Sequence, residues 1–272
     1  MFRIAIAVSQ GAAMHEPVLY RGGLESSFDY AKKLGYDGVE LHIRDPYEVD
    51  SQALLSRQQE TGVRIAAVAT GLAARVDGLS LADKDEDRRK EAVHRVKGHL
   101  QLSSLFGCPV ILGSIRGNVP SPGQRKEHIS RLRTSILELA KEMEDKDSYL
   151  VFEVINRYEN NYFNTAWETA QFINSLPTKK VKLHLDTFHM NIEEKDPLKA
   201  ISESGALLGH FHLADNTRWY PGSGTIHFPA ILRQLSQSGY TGWLSMEYLP
   251  LPTEEQAAQE GLAYIRSCIK EQ

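Results

Sequence analysis

Apolar residues along the chain gather into short runs rich in β-branched side chains, and longer amphipathic segments separate them. Eight runs read as strands, near residues 3–8, 37–43, 63–69, 109–113, 148–153, 181–186, 207–213 and 242–247. This is the alternation of parallel βα units. The intervening segments carry helical marks. Between the third and fourth runs, Val93, Val96 and Leu100 share one face of a helix that begins among Asp83, Asp85, Glu86 and Asp87. Carboxylates there suit the positive pole of the helix dipole, so the charge run from Asp83 to Glu91 reads as a solvated helix start rather than a binding tail. Gly35-Tyr36, Phe106-Gly107 and Gly239-Tyr240 precede strands and read as helix stops. No linker or composition break interrupts the rhythm. The pattern predicts an α/β chain folded as a single (β/α)8 TIM-barrel domain over residues 1–272.

Charge narrows the ligand. The chain has 31 Lys+Arg against 35 Asp+Glu and a net charge of −4, so it lacks the basic stripe that neutralises a phosphate backbone. Nucleic acid is disfavoured and small polar substrates remain. Two distant cysteines, Cys108 and Cys268, make neither a disulfide framework nor a Cys-based zinc site, which fits a reducing compartment. The apolar run at residues 4–8 is too short for a signal-peptide core and reads as a buried first strand. No apolar stretch approaches the roughly 20 residues that cross a bilayer. The expectation is a soluble cytoplasmic protein with no membrane partner.

In such barrels the active site lies at the C-terminal ends of the strands. Glu153, Asp186, His212 and Glu247 end strands five to eight, at spacings of 33, 26 and 35 residues. Each spacing is about one βα unit, so closure of the barrel brings all four to one side of its mouth. Three carboxylates packed together repel unless a cation neutralises them. Oxygen-rich ligation with one imidazole favours a divalent ion, Mn2+ foremost, with Mg2+ and Co2+ as the other candidates. Taken singly, each residue has a blander reading, as a paired barrel carboxylate or a structural histidine; it is the register of four that carries the argument. His184 and His210, two residues before Asp186 and His212, share their inward side one layer deeper and read as core or supporting groups.

Longer motifs join these residues. Glu153-Val-Ile-Asn-Arg-Tyr-Glu159, Asn164-Thr165, Leu185-Asp186-Thr-Phe-His189-Met-Asn-Ile-Glu-Glu194, and His210-Phe-His212 through Arg218 to Pro221-Gly222-Ser-Gly224 resemble the ketose 3-epimerases among the xylose-isomerase-like barrels. Arg44-Asp45-Pro46, Ala69-Thr70-Gly71, Asp77-Gly78-Leu79-Ser80-Leu81, Ile115-Arg116-Gly117 and Glu247-Tyr-Leu-Pro-Leu-Pro252 resemble one branch, the 5-keto-L-gluconate epimerases of inositol breakdown. That resemblance implies interconversion of 5-keto-L-gluconate and D-tagaturonate, with Glu153, Asp186, His212 and Glu247 as metal ligands. Glu153 and Glu247 would also be the acid/base pair, acting through a cis-enediolate. It further implies Glu159, His189 and Arg218 on substrate oxygens.

A hexulosonate carries a carboxylate. Arg44 and Arg116, each just after a predicted strand, are candidates to receive it, against a reading as loop ion pairs. The 71–81 segment reads as a loop that either covers the mouth or simply connects. Residues 221–224 read as a tight turn in preference to a phosphate cradle. Phe188 and Trp219 are candidate sugar-facing aromatics, while Trp243 reads as barrel packing.

Competing activities are epimerisation of neutral ketoses such as tagatose, psicose and ribulose, inosose-dehydratase-like water loss, and hydroxypyruvate-type aldose–ketose isomerisation. A nuclease of the abasic-site type would need a denser histidine cluster, and a non-catalytic sugar-binding barrel would not need both bases. Relatives of this kind commonly associate into a homo-oligomer, which the polar composition neither supports nor excludes.

Overall fold

The computed structural model describes residues 2–270, and its centre is a closed barrel of eight parallel strands. The strands are β1 Arg3–Ser9, β2 Gly38–His42, β3 Arg64–Ala69, β4 Val110–Leu112, β5 Leu150–Glu153, β6 Val181–Asp186, β7 Leu208–Leu213 and β8 Trp243–Met246. Each pairs with the next, and β8 returns to β1 with Leu244 opposite Ile4. All eight predicted runs are strands in this barrel.

Alternation along each strand sorts its side chains. Leu183, Leu185, Phe211 and Leu213 join the large cluster that packs between sheet and helices. His184, Asp186, His210 and His212 therefore point into the lumen. Nearer the starts of their strands, Ala5, Ala66 and Trp243 form a small separate cluster. Polar groups thus occupy the upper lumen, with the aliphatic packing around and beneath them.

Helix ends match the local chemistry. The helix Glu86–Phe106 starts at Asp85, whose carboxylate accepts from the amides of Asp87 and Arg88 at 2.9 and 3.2 Å. It stops at Gly107, whose φ of 61° is left-handed and favours glycine. The segment after β3 departs from the expected loop. Residues Gly71–Asp77 form a short helix ended by Gly78, with Leu79 and Leu81 buried beyond it. Its apolar residues have a core to cover, and this decides against a bare connector. Among the described residues no helix is long and apolar enough to cross a membrane. Both cysteines are buried and free.

Replacing Asp85 by Ala removes the cap of the Glu86–Phe106 helix and should cost about 1 kcal/mol of stability. Urea unfolding of the two proteins measures this.

Candidate functional site

Strand register assembles the site. Glu153 and Asp186 are the last residues of β5 and β6, His212 is the penultimate residue of β7, and Glu247 directly follows β8. Asp186 pairs in register with His212, and Leu213 with Met246, so these ends lie side by side. Ligand-competent atoms of all four residues fall within 4.8 Å of one another, and all four side chains are buried. At about 4 Å two like charges repel by about 4 kcal/mol at an effective dielectric of about 20, so the cluster requires positive partners.

Arg218 is one. It bonds to Glu247 and lies 3.3 Å from Asp186 Oδ2. His212 is another, with Nδ1 3.4 Å from Glu247 Oε2 and 3.8 Å from Asp186 Oδ2. Burial alone would push His212 down, but the charges of Glu40 and Glu247 hold its pKa well above the usual imidazole value. The two glutamates diverge. Burial, then the charge of Glu247, pushes Glu153 up to about 8. Burial also acts on Glu247, yet His212 and Arg218 hold it down to about 2. Asp186 is raised, chiefly by desolvation.

The donor set suits a divalent ion. Asp186 Oδ1 is used to cap the helix Thr187–Glu193 through the Phe188 amide, whereas Asp186 Oδ2 and His212 Nδ1 are buried with no hydrogen-bond partner. Buried polar atoms without partners are costly, and an ion between three carboxylates and an imidazole would satisfy both. Room for Glu153 is supplied by Gly113, at the end of β4, where a Cβ would lie 2.5 Å from Glu153 Oε2.

These groups open onto a cavity of about 300 Å³, lined also by Glu159, Phe188, His189, Arg218, His15 and Arg75. His189 is positioned by Asn156, whose Nδ2 donates to His189 Nδ1 at 2.7 Å while its Oδ1 accepts from the Tyr158 amide. His189 Nε2 lies 3.3 Å from Arg218 Nη1 and 3.7 Å from Glu153 Oε1. Burial and the Arg218 charge keep His189 neutral by lowering its pKa. Glu159 sits at the half-exposed rim and accepts from Asn156.

Arg218 itself is held in a left-handed backbone conformation, φ 60°, which costs a non-glycine residue roughly 1–2 kcal/mol. The surrounding loop enforces it. The buried carboxylate of Asp215 accepts from the amides of Asn216, Gly222, Gly224 and Ile226. Residues 221–224 are thus a turn wrapped on Asp215, and the Gly222 and Gly224 amides are consumed there. The Arg218 guanidinium then stacks 4.6 Å from the Phe188 ring.

The two proposed carboxylate receivers lie elsewhere. Arg44 is exposed and bonded to Asp77 at 3.0 and 2.6 Å, the loop ion pair of the plainer reading. Arg116 is fully buried, donates to the carbonyls of Glu153 and Tyr162, and stacks on Phe152 and Tyr162. It braces the end of β5 rather than facing the cavity. Besides Arg218, Arg75 lines the cavity, from the short helix after β3, paired with Glu16 at 2.8 Å. Phe188 lines the cavity and Trp219 does not. Trp243 is buried with Arg3 over its ring, as packing requires.

Strand β2 adds groups that the sequence reading passed over. Glu40 is fully buried, and His42 lines the cavity. Two polar residues at positions i and i+2 of an apolar strand were the available signal, since alternation places both in the lumen.

Comparison with known proteins follows from this geometry. Residues 28–268 match the family model described as "Xylose isomerase-like TIM barrel". The chain belongs to this family. It is 31% identical over 231 residues to an L-ribulose 3-epimerase of Methylomonas sp., covering 83% of this chain and 78% of the relative. It is also 31% identical over 259 residues to a 3-dehydro-D-guloside 4-epimerase of Escherichia coli, covering 89% and 93%. A solved D-allulose 3-epimerase from Methylomonas sp. superposes with a TM-score of 0.83 at 23% identity, covering 98% of each chain, which supports the fold. These relatives place the xylose isomerase-like barrel described here with the ketose 3-epimerases.

In the metal-free protein Glu153 is protonated in the fold below about pH 8 but ionises near 4.5 when unfolded. The folded state therefore binds the extra proton, and stability falls as pH rises between those values. With EDTA present, Glu153→Gln should melt above the wild type at pH 8, with the gap closing towards pH 5. Equal gaps at both would count against the shift.

Proposed function

We propose that this carbohydrate epimerase inverts the carbinol carbon beside the ketone of a hexulosonate, interconverting 5-keto-L-gluconate and D-tagaturonate, with Glu153 and Glu247 as the acid/base pair. The observation that carries the epimerase reading is the split between two carboxylates facing one cavity. One is pushed up to about 8 and the other held down to about 2. Environments that drive two acids apart define an acid and a base. In the ion-free protein Glu247 is the ionised partner and Glu153 the protonated one; in the reaction one removes the proton from the carbinol carbon and the other returns one to the opposite face. In the reverse direction they exchange roles.

Glu153, Asp186, His212 and Glu247 would hold a divalent ion, Mn2+ foremost. The ion would supply Lewis-acid stabilisation for the negative charge of the cis-enediolate. The chain's own groups orient the substrate. Arg218 donates in a fixed fork towards oxygens near the reacting carbons, and His189, with Nε2 between Arg218 and Glu153, hydrogen-bonds to the same end of the substrate. Glu159 accepts from a hydroxyl at the rim. Proton return to the opposite face requires that the intermediate stay out of bulk water, which the buried site walls favour.

Arg75 and His15 support the acidic substrate, because they bring a cation and an imidazole to the wall where a terminal carboxylate would lie. A second reading, a neutral ketose, is favoured by the pairing of Arg75 with Glu16, which already offsets its charge, and by the sugars named for relatives such as the L-ribulose 3-epimerase.

The two substrate classes separate in D2O. Mn2+-loaded protein should incorporate deuterium beside the ketone of D-tagaturonate with inversion, faster than into D-tagatose or D-psicose, as followed by NMR. Preference for the neutral ketoses would select the second reading, and label exchange with loss of water would replace both by a dehydratase. Glu153→Gln and Glu247→Gln should each lower turnover at least 10³-fold with the fold intact by circular dichroism; wild-type turnover in either removes that residue from the mechanism.

Arg75→Met should raise KM for the uronate on the order of tenfold while leaving KM for a neutral ketose within twofold, since a rim charge pair contributes about 1 kcal/mol or somewhat more. Steady-state kinetics on both substrates measure it.

A further inference from the structure

We infer that Glu40 is a positioning residue that selects the ion-binding form of His212. The inference rests on the reading that His212 takes part in holding a divalent ion. It concerns a residue at the heart of β2, outside the four strand-end groups.

Glu40 is fully buried, and among the described residues its ion-pair partners are three histidines, with no lysine or arginine. Oε2 lies 2.6 Å from His210 Nε2, Oε1 lies 2.9 Å from His212 Nε2, and Oε1 lies 3.0 Å from His42 Nε2. With three imidazole nitrogens within hydrogen-bond distance of its two oxygens, the carboxylate can serve all of them only as an acceptor. An ionised carboxylate only accepts. Each of the three imidazoles must therefore present Nε2–H to it. When an ion takes the place of a proton on Nδ1, an imidazole that keeps its Nε2–H turns its Nδ1 lone pair to that ion. In His212 that is the nitrogen standing 3.8 Å from Asp186 Oδ2 and 3.4 Å from Glu247 Oε2, with no hydrogen-bond partner of its own. Glu40 thus fixes both the ring orientation and the Nε2–H form in which His212 can offer Nδ1 to an ion held among the carboxylates.

The same geometry argues against a second ion at Glu40, His42 and Glu247, whose ligand atoms also lie within 4.8 Å of one another. Three N–H donors already occupy the Glu40 oxygens. A cation there would have to displace the His42 bond. Holding three rings that belong to two strands, β2 for His42 and β7 for both others, the carboxylate acts as a fixed acceptor at the centre of the lumen.

Glu40→Gln tests this with the ion alone, independently of any sugar. Glutamine keeps the shape but turns an amide N–H towards imidazole N–H groups, so one ring must change tautomer. Mn2+ affinity of the variant, from calorimetry and from free-Mn2+ electron paramagnetic resonance, should fall 10- to 100-fold. The visible spectrum of the Co2+-loaded variant should differ from that of the wild type, a change that a purely structural role for Glu40 would not produce. A second measurement needs no variant of Glu40. In Zn2+-loaded wild-type protein, 15N NMR should find the His212 proton on Nε2, the signal being assigned by its loss in His212→Gln.

Wild-type Mn2+ affinity and an unchanged Co2+ spectrum in Glu40→Gln would overturn the inference, as would a His212 proton on Nδ1. If Glu40→Gln fails to fold, the NMR result decides. A wild-type protein that takes up none of these ions would overturn the metal reading itself, and this inference with it.

Discussion

Three carboxylates buried within one ion's reach of each other set the terms for the rest of this barrel. At such distances their mutual repulsion is worth several kcal/mol, and burial removes the water that would screen it. The neighbouring groups are arranged against that cost. Arg218 spans Asp186 and Glu247, His212 is held charged by Glu40 and Glu247, and Glu153 escapes by keeping its proton. Glu153 and Glu247, alike in sequence, become an acid and a base because one faces mostly apolar burial and the other faces two cations.

That arrangement depends on parts of the chain with no direct role in the chemistry. Asp215 spends its whole carboxylate on loop amides, which keeps the Arg218 backbone in a conformation it would otherwise leave. Arg116 holds the carbonyl at the end of β5, and Gly113 leaves the adjacent space open for the Glu153 carboxylate. Asn156 sets the ring of His189. The cavity is thus shaped by strand ends for the reacting groups and by braced loops for the groups that touch the rest of a substrate. This division suits a barrel, whose strands vary little in position while its loops differ freely.

Most of the fold was legible along the chain because its signals are local. A buried parallel strand declares itself as a short apolar run, and a helix end as an Asp or a Gly at a position that few other residues tolerate, as at Asp85 and Gly107. The convergence of Glu153, Asp186, His212 and Glu247 was legible for a related reason: each ends a strand, and a closed barrel leaves strand ends only one place to meet. Arg44 and Arg116 show where this logic stops. Both follow strands, yet one turns outward to Asp77 and the other inward beneath β5, because beyond the last paired residue nothing in the pattern fixes the direction of a long side chain. The start of the 71–81 segment, Gly71–Asp77, is a helix for want of the same information, the segment's leucines finding a core that the sequence does not display.

By itself, then, the amino-acid order determined the eight-strand alternation, the four groups at the mouth and the kind of ion they suit, since these follow from period, spacing and residue chemistry. Tertiary structure alone decided which glutamate holds a proton, that Arg75 rather than Arg44 or Arg116 reaches the cavity, and that Glu40 binds three histidines. Those outcomes depend on burial and on distances between residues far apart in the chain, such as Glu40 and His212, and electrostatics in a dry lumen is set by such distances.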